Sequence, residues 1–148
     1  MTTKIYLDVC TFCRPFDDQS QVRIRMERDA YFLIVRAIEG GRYIPIISPV
    51  HLAEVESIAE TSERLEILEL FRRLRRNVTV KPGKLRARAE ELTTWSFGTA
   101  DAAHVAFAET TADAFITCDD RLLKKCRAKR IALPVFNPVE FVSREGLQ

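Results

Sequence analysis

The chain has 148 residues, 47% apolar and 30% charged, with 5 Gly and 6 Pro. That length suits one compact domain with a sizeable core, and the composition excludes a disordered chain. A net charge of +2 is too small to imply a nucleic-acid partner by itself, so the placement of the basic residues matters more.

The N-terminal stretch KIYLDVCTFCRPFDD opens on a short apolar run, Lys4–Asp8, that ends on a carboxylate. Further runs at Tyr43–Ser48, Val78–Lys81, Ala114–Cys118 and Ala132–Phe136 have the same near-continuous apolar character. Such runs are expected of strands covered on both faces, and Pro134 suits an edge position for the last one. Between them the pattern predicts helices. Asp17 or Asp18 is expected to cap a long helix running to about Glu39, where Gly40-Gly41 stops it. A second begins near Pro49 after Ser48, and a third spans Ser62 to about Arg76 with Leu65, Leu68, Phe71 and Leu74 on one face. Pro82-Gly83 interrupts the chain before helices near Lys84–Leu92, Thr99–Thr110 and Asp120–Lys129. Strands alternating with helices predict an α/β fold with a mainly parallel sheet, and no linker or repeat divides residues 1–148, so one domain is expected.

No apolar run approaches the length of a bilayer span, and no apolar signal region precedes the first acidic residue. A cytoplasmic protein without membrane attachment is expected. The four cysteines, 10, 13, 118 and 126, are expected as reduced thiols. Cys10 and Cys13 have the spacing of a zinc or redox half-site, but no second half-site matches it.

Ligands of open parallel sheets bind beyond the carboxyl ends of the strands. Asp8 ends the first run and Asp119 follows the fourth. Glu54 lies one to two turns into the helix after the second run, and Asp101 in the first turn of the helix near Thr99. Together these four carboxylates repel one another unless a hard cation such as Mg²⁺ or Mn²⁺ joins them. Such an ion acidifies water and stabilises charge on a phosphoryl oxygen, which points to phosphodiester hydrolysis. Glu56 is the alternative to Glu54, since two residues turn a helix by about 200° and only one of the pair faces the site. Asp120 is the alternative to Asp119 for either role; Asp119 is expected as the ligand, with Asp120 as cap or supporting residue. His104, one turn beyond Asp101, faces the same cleft as a structural neighbour.

The segments LDVC, the acidic residue of SPVHLAEVE, TADAAHVAFAE and ITCDDRLLKK together resemble the PIN domain family, which includes ribonuclease toxins of VapC type. The resemblance runs over nearly the whole chain. It implies a three-layer domain with a central five-stranded parallel sheet flanked by helices, and Mg²⁺- or Mn²⁺-dependent endonucleolytic cleavage of RNA. By position, Asp8, Glu54, Asp101 and Asp119 match the family's acidic set, and Thr117 matches a hydroxyl two residues before the last aspartate. The chain departs where relatives place Ser or Thr after the first aspartate, because Val9 and Cys10 stand there. The resemblance further implies an antitoxin partner and a homodimer. The rival expectation is a non-catalytic PIN-like module that binds RNA or protein. Arg14, close behind the first run, is a candidate either for contact with an RNA phosphate or for pairing with the acidic site. The basic tracts at Arg72–Arg76, Lys81–Arg88 and Lys124–Arg130 are either RNA-facing or simply solvated.

Overall fold

The structure, a computed structural model, describes residues 2–74 and 80–148. Its centre is a parallel sheet of β1 (Thr3–Leu7), β2 (Tyr43–Pro45), β3 (Ala114–Ile116) and β4 (Val135–Phe136), in the order β2-β1-β3-β4. The register sets Lys4 beside Ile44, Tyr6 beside Phe115 and Ile116 beside Phe136. The helices are α1 (Val9–Cys13), α2 (Val22–Glu39), α3 (Pro49–Glu56), α4 (Thr61–Leu74), α5 (Pro82–Thr94), α6 (Thr99–Thr111), α7 (Asp120–Ala128) and α8 (Pro138–Glu145).

Alternation along the strands divides the core into two layers, because successive side chains leave opposite faces of a sheet. Ile5, Leu7, Ala114 and Ile116 point to one side, where they pack with Tyr31, Ile34 and Ile38 of α2, Val55 of α3, Phe71 of α4 and Phe141 of α8. Tyr6 and Phe115 point to the other, joining Leu92 of α5, Val105 and Phe107 of α6 and Leu122 of α7. Burying both faces is what makes these strands read as unbroken apolar runs.

The sheet has four strands among the described residues, not the expected five. Val78 and Thr79 of the expected third run lie outside the described residues, as do Arg75 and Arg76. Val80 and Lys81 are in no strand. Pro82 at the first turn of α5 supplies the reason, since it presets helical φ and Lys81 becomes the residue before the helix. Val80 instead packs against the α5–α6–α7 layer. At β4, Pro134 cannot donate to a ladder, so pairing shortens to two residues, while the Pro134 carbonyl still accepts from Phe115 N–H at 2.9 Å.

Two further differences concern helices. Asp17 and Asp18 do not cap α2. Residues Arg14–Phe16 form a 3₁₀ turn, Asp17 pairs with Arg14, and Asp18 accepts from Ser20 N–H, so α2 starts only after Gln21. The sequence reading also passed over α1 and α8. The latter is capped by Asn137, opened by Pro138 and closed by Gly146 at φ 63°. No helix of the described residues is long and apolar enough to cross a membrane.

Candidate active site at the strand ends

In a sheet ordered β2-β1-β3-β4, the chain winds outward from β1 to β2 and returns across it to β3. The crevice beyond the carboxyl ends of β1 and β3 is therefore the topological switch point. Asp8 leaves β1 at this crevice, with its N–H held by the Ile116 carbonyl at 2.8 Å. Its side chain caps α1. Oδ1 accepts from Val9 N–H at 2.8 Å, and Oδ2 accepts from Thr117 Oγ1 at 2.9 Å and from the Cys10 thiol at 3.3 Å. Burial pushes the Asp8 carboxyl above its ordinary value, against His104 and the Thr117 and Cys10 hydrogen bonds, with Glu54 raising it further.

Glu54 and Glu56 separate as helix geometry requires. Glu54 turns inward, its Oε1 2.7 Å from His104 Nε2, while Glu56 is exposed at the end of α3. Asp101 sits in the first turn of α6. Among the described residues nothing donates a hydrogen bond to its carboxylate. Its carboxyl is pushed up first by burial, then by Asp8 and Asp119 and, more weakly, by Glu54, with His104 opposing. Asp119 is the N-cap of α7, and its Oδ1 accepts from Arg121 N–H at 2.9 Å and Leu122 N–H at 3.2 Å. Asp120 already belongs to the helix and forms a two-point ion pair with Arg23 of α2, so the capping role falls to Asp119 and not to Asp120.

Thr117 ties two of these residues together. Its buried hydroxyl donates to Asp8 and accepts from Asp119 N–H at 3.0 Å. Replacing it with Val leaves that N–H and the Asp8 carboxylate each short of a partner, which is expected to cost about 2 kcal/mol in urea unfolding. An unchanged midpoint would contradict the role.

The thiols at the crevice are neighbours of the carboxylates. Cys10 touches Asp8 and Thr117, and a hydrogen bond to buried Cys118, followed by burial, pushes its thiol up. Burial raises Cys13 and Cys126 to about 12, so both stay protonated. All four cysteines are free.

Beneath the carboxylates lies a polar network that the sequence reading missed, apart from His104. Tyr6 Oη is 2.6 Å from His104 Nδ1 and 2.8 Å from Ser48 Oγ, and Ser48 caps α3 in a reciprocal pair with His51. His51 Nε2 is 2.6 Å from the Leu7 carbonyl, and burial pushes its ring down to about 3, leaving it neutral. The one available signal was Ser48 followed three residues later by a polar side chain, the spacing of a capping box.

Some of the basic residues have carboxylate partners. Arg14 bonds Glu27 and Asp17, Arg72 bonds Glu69, Arg73 reaches Glu39, Arg88 bonds Glu91 and Glu109, and Arg127 bonds Glu140. Arg14 is thus engaged in ion pairs with Asp17 and Glu27, neither of them in the acidic set.

Among the described residues, no three His, Cys, Asp or Glu side chains form a ready-made group for a metal ion. The donor chemistry nonetheless suits a hard divalent ion. The crevice offers carboxylate oxygens, and the Asp101 carboxyl, pushed up by burial and by its carboxylate neighbours, receives no hydrogen bond among the described residues.

Residues 22–128 match the PIN domain family, so the chain belongs to the PIN domains. These are usually nucleases, act on nucleic acid and commonly employ divalent metal ions. The matched segment contains Glu54, Asp101, Thr117, Asp119 and Asp120, and begins after Asp8. No curated protein and no solved structure matches the chain.

Proposed function

We propose that the protein is a metal-dependent endoribonuclease whose Asp8, Glu54, Asp101 and Asp119 hold Mg²⁺ or Mn²⁺. What supports this reading is Asp101 in the first turn of α6, half-buried and pushed up by burial and then by Asp8 and Asp119, with no hydrogen bond to its carboxylate among the described residues. A bound divalent ion supplies Lewis acidity and neutralises charge on the scissile phosphate. The protein's own part is positional. Thr117 and Val9 N–H fix the Asp8 carboxylate, the α7 N-terminus fixes Asp119, and Asp101 stands in the first turn of α6. The acidic set also leaves a carboxylate oxygen available to orient the attacking water toward phosphorus, in line with the leaving 3′ oxygen.

The resemblance to VapC-type toxins extends the proposal to a toxin, working as a homodimer and restrained by a small antitoxin. Induction in cells should then arrest growth, and a neighbouring gene product should relieve the arrest. Growth without arrest removes the toxin role and leaves the nuclease.

A non-catalytic module is the second reading. It is favoured by the oxygens of Asp8 and Glu54 that already accept hydrogen bonds from the protein. Incubating structured and unstructured RNAs with the protein, with Mn²⁺ or with chelator, separates the two. The nuclease cuts with Mn²⁺ and stops with chelator. The module binds RNA equally in both and cuts in neither.

A further inference from the structure

We infer that His104 is a positioning residue for Glu54, its imidazole anchored by Tyr6 so that the carboxylate is held toward the crevice in readiness for a cation. The inference rests on the reading of Glu54 as a metal ligand.

Glu54 is the member of the acidic set with the least support from its own backbone. It lies on the surface of α3 with its side chain 34% exposed, and an unanchored Glu there has three rotatable bonds to disperse it. His104 removes that freedom. Its ring is 1% exposed, enclosed in the core of α6, and Nε2 stands 2.7 Å from Glu54 Oε1. An ionised carboxylate only accepts, so Nε2 carries the hydrogen of that bond. Oε2 receives no hydrogen bond among the described residues and remains for another partner.

The ring is fixed in turn from its far side. Tyr6 Oη meets Nδ1 at 2.6 Å, and Tyr6 is fully buried on β1. Its hydroxyl, held in the core, is the partner of Nδ1. Tyr6 also reaches Ser48 Oγ at 2.8 Å. The Ser48 N–H donates to His51 Nδ1 at 3.0 Å, which leaves His51 Nε2–H to donate to the Leu7 carbonyl at 2.6 Å. Leu7 immediately precedes Asp8. One buried chain therefore couples the position of Glu54 to the strand end that presents Asp8, through three separate elements. Such outer partners of metal ligands commonly change metal affinity 10- to 100-fold when removed.

Calorimetric titration with Mn²⁺ tests the inference on the wild type, His104→Leu, His104→Gln and Tyr6→Phe, each checked for native circular dichroism. His104→Leu should bind Mn²⁺ about 10-fold more weakly or worse. His104→Gln, which retains an N–H donor, should stay within about 3-fold of wild type. Tyr6→Phe, which keeps the packing and loses the anchor, should fall between them. Cleavage by His104→Leu should recover at high Mn²⁺ with KM for RNA unchanged. Wild-type affinity in His104→Leu, or in Tyr6→Phe should the leucine variant not fold, overturns the positioning role alone. So does a glutamine variant as weak as leucine. A wild type that binds no Mn²⁺ overturns the metal-ligand reading of Glu54 and this inference with it.

Discussion

Replacing Asp101 with Asn is expected to lower Mn²⁺-dependent RNA cleavage at least about 100-fold, equivalent to about 2.7 kcal/mol of transition-state stabilisation. The same change should raise the melting midpoint of the metal-free protein. Both effects follow from one feature. Burial, and then Asp8 and Asp119, push the Asp101 carboxyl above its ordinary value of 3.8. A carboxyl raised in the folded state binds its proton more tightly there than in the unfolded chain. Its stabilising contribution is complete below the unfolded value and is lost as pH rises through the folded value. At neutral pH the charged group therefore opposes folding, and the neutral amide does not. Asp8 is shifted in the same direction and adds to the trend. Melting curves between about pH 4 and pH 8 should show this part of the stability fading as pH rises. Mn²⁺ should restore it in the wild type but much less in the Asp101→Asn protein. A lower midpoint in the variant without metal would show that Asp101 makes favourable contacts the account omits.

Glu27→Ala is expected to cost about 3 kcal/mol of stability, among the largest losses any single charged residue here should produce. Glu27 is 1% exposed in the middle of α2. One oxygen accepts from Arg14 Nε at 3.1 Å and Nη2 at 3.0 Å, with Arg23 Nε at 3.6 Å. The other accepts from Asn137 Nδ2 at 2.7 Å, and Asn137 caps α8. Truncation leaves a partly buried guanidinium with Asp17 as its remaining carboxylate partner and frees the cap of α8, so α2, α8 and the segment behind α1 loosen together. Urea unfolding measures the loss. A change below about 1 kcal/mol would mean that Arg14 finds water or Asp17 at little cost.

Glu27 also marks where sequence reading stops. Nothing in RMERDAYF distinguishes a buried acid from a solvated one, because its partners lie 13 residues back and 110 residues ahead. Asp17 and Asp18 carried the residue type of a helix cap, but the Pro15 turn and the reach of Arg14 took Asp17 away. The main strands were legible for a physical reason: burial on both faces leaves unbroken apolar runs, as at Tyr43 and Ala114. The expected third run had a similar apolar character, but its Val80 packs as a side chain against the core beside a proline-started helix. The expectation for the carboxylates drew on local features, strand ends and the early turns of helices. Which of Asp119 and Asp120 serves as cap could not be read, since Arg23, about a hundred residues earlier, decides it. Tyr6 read only as strand. Its hydroxyl gains meaning when α3 and α6 bring Ser48 and His104 to it.

Underlying the proposal is the idea that carboxylates far apart in the chain share one divalent ion at the β1–β3 crevice. Anomalous diffraction from a crystal soaked in Mn²⁺ tests it most directly. The expected result is an ion bonded to oxygens of both Asp8 and Asp101, with Glu54 or Asp119 completing its protein ligands. Ordered density for all four side chains with no ion among them, in crystals saturated with Mn²⁺, would contradict it.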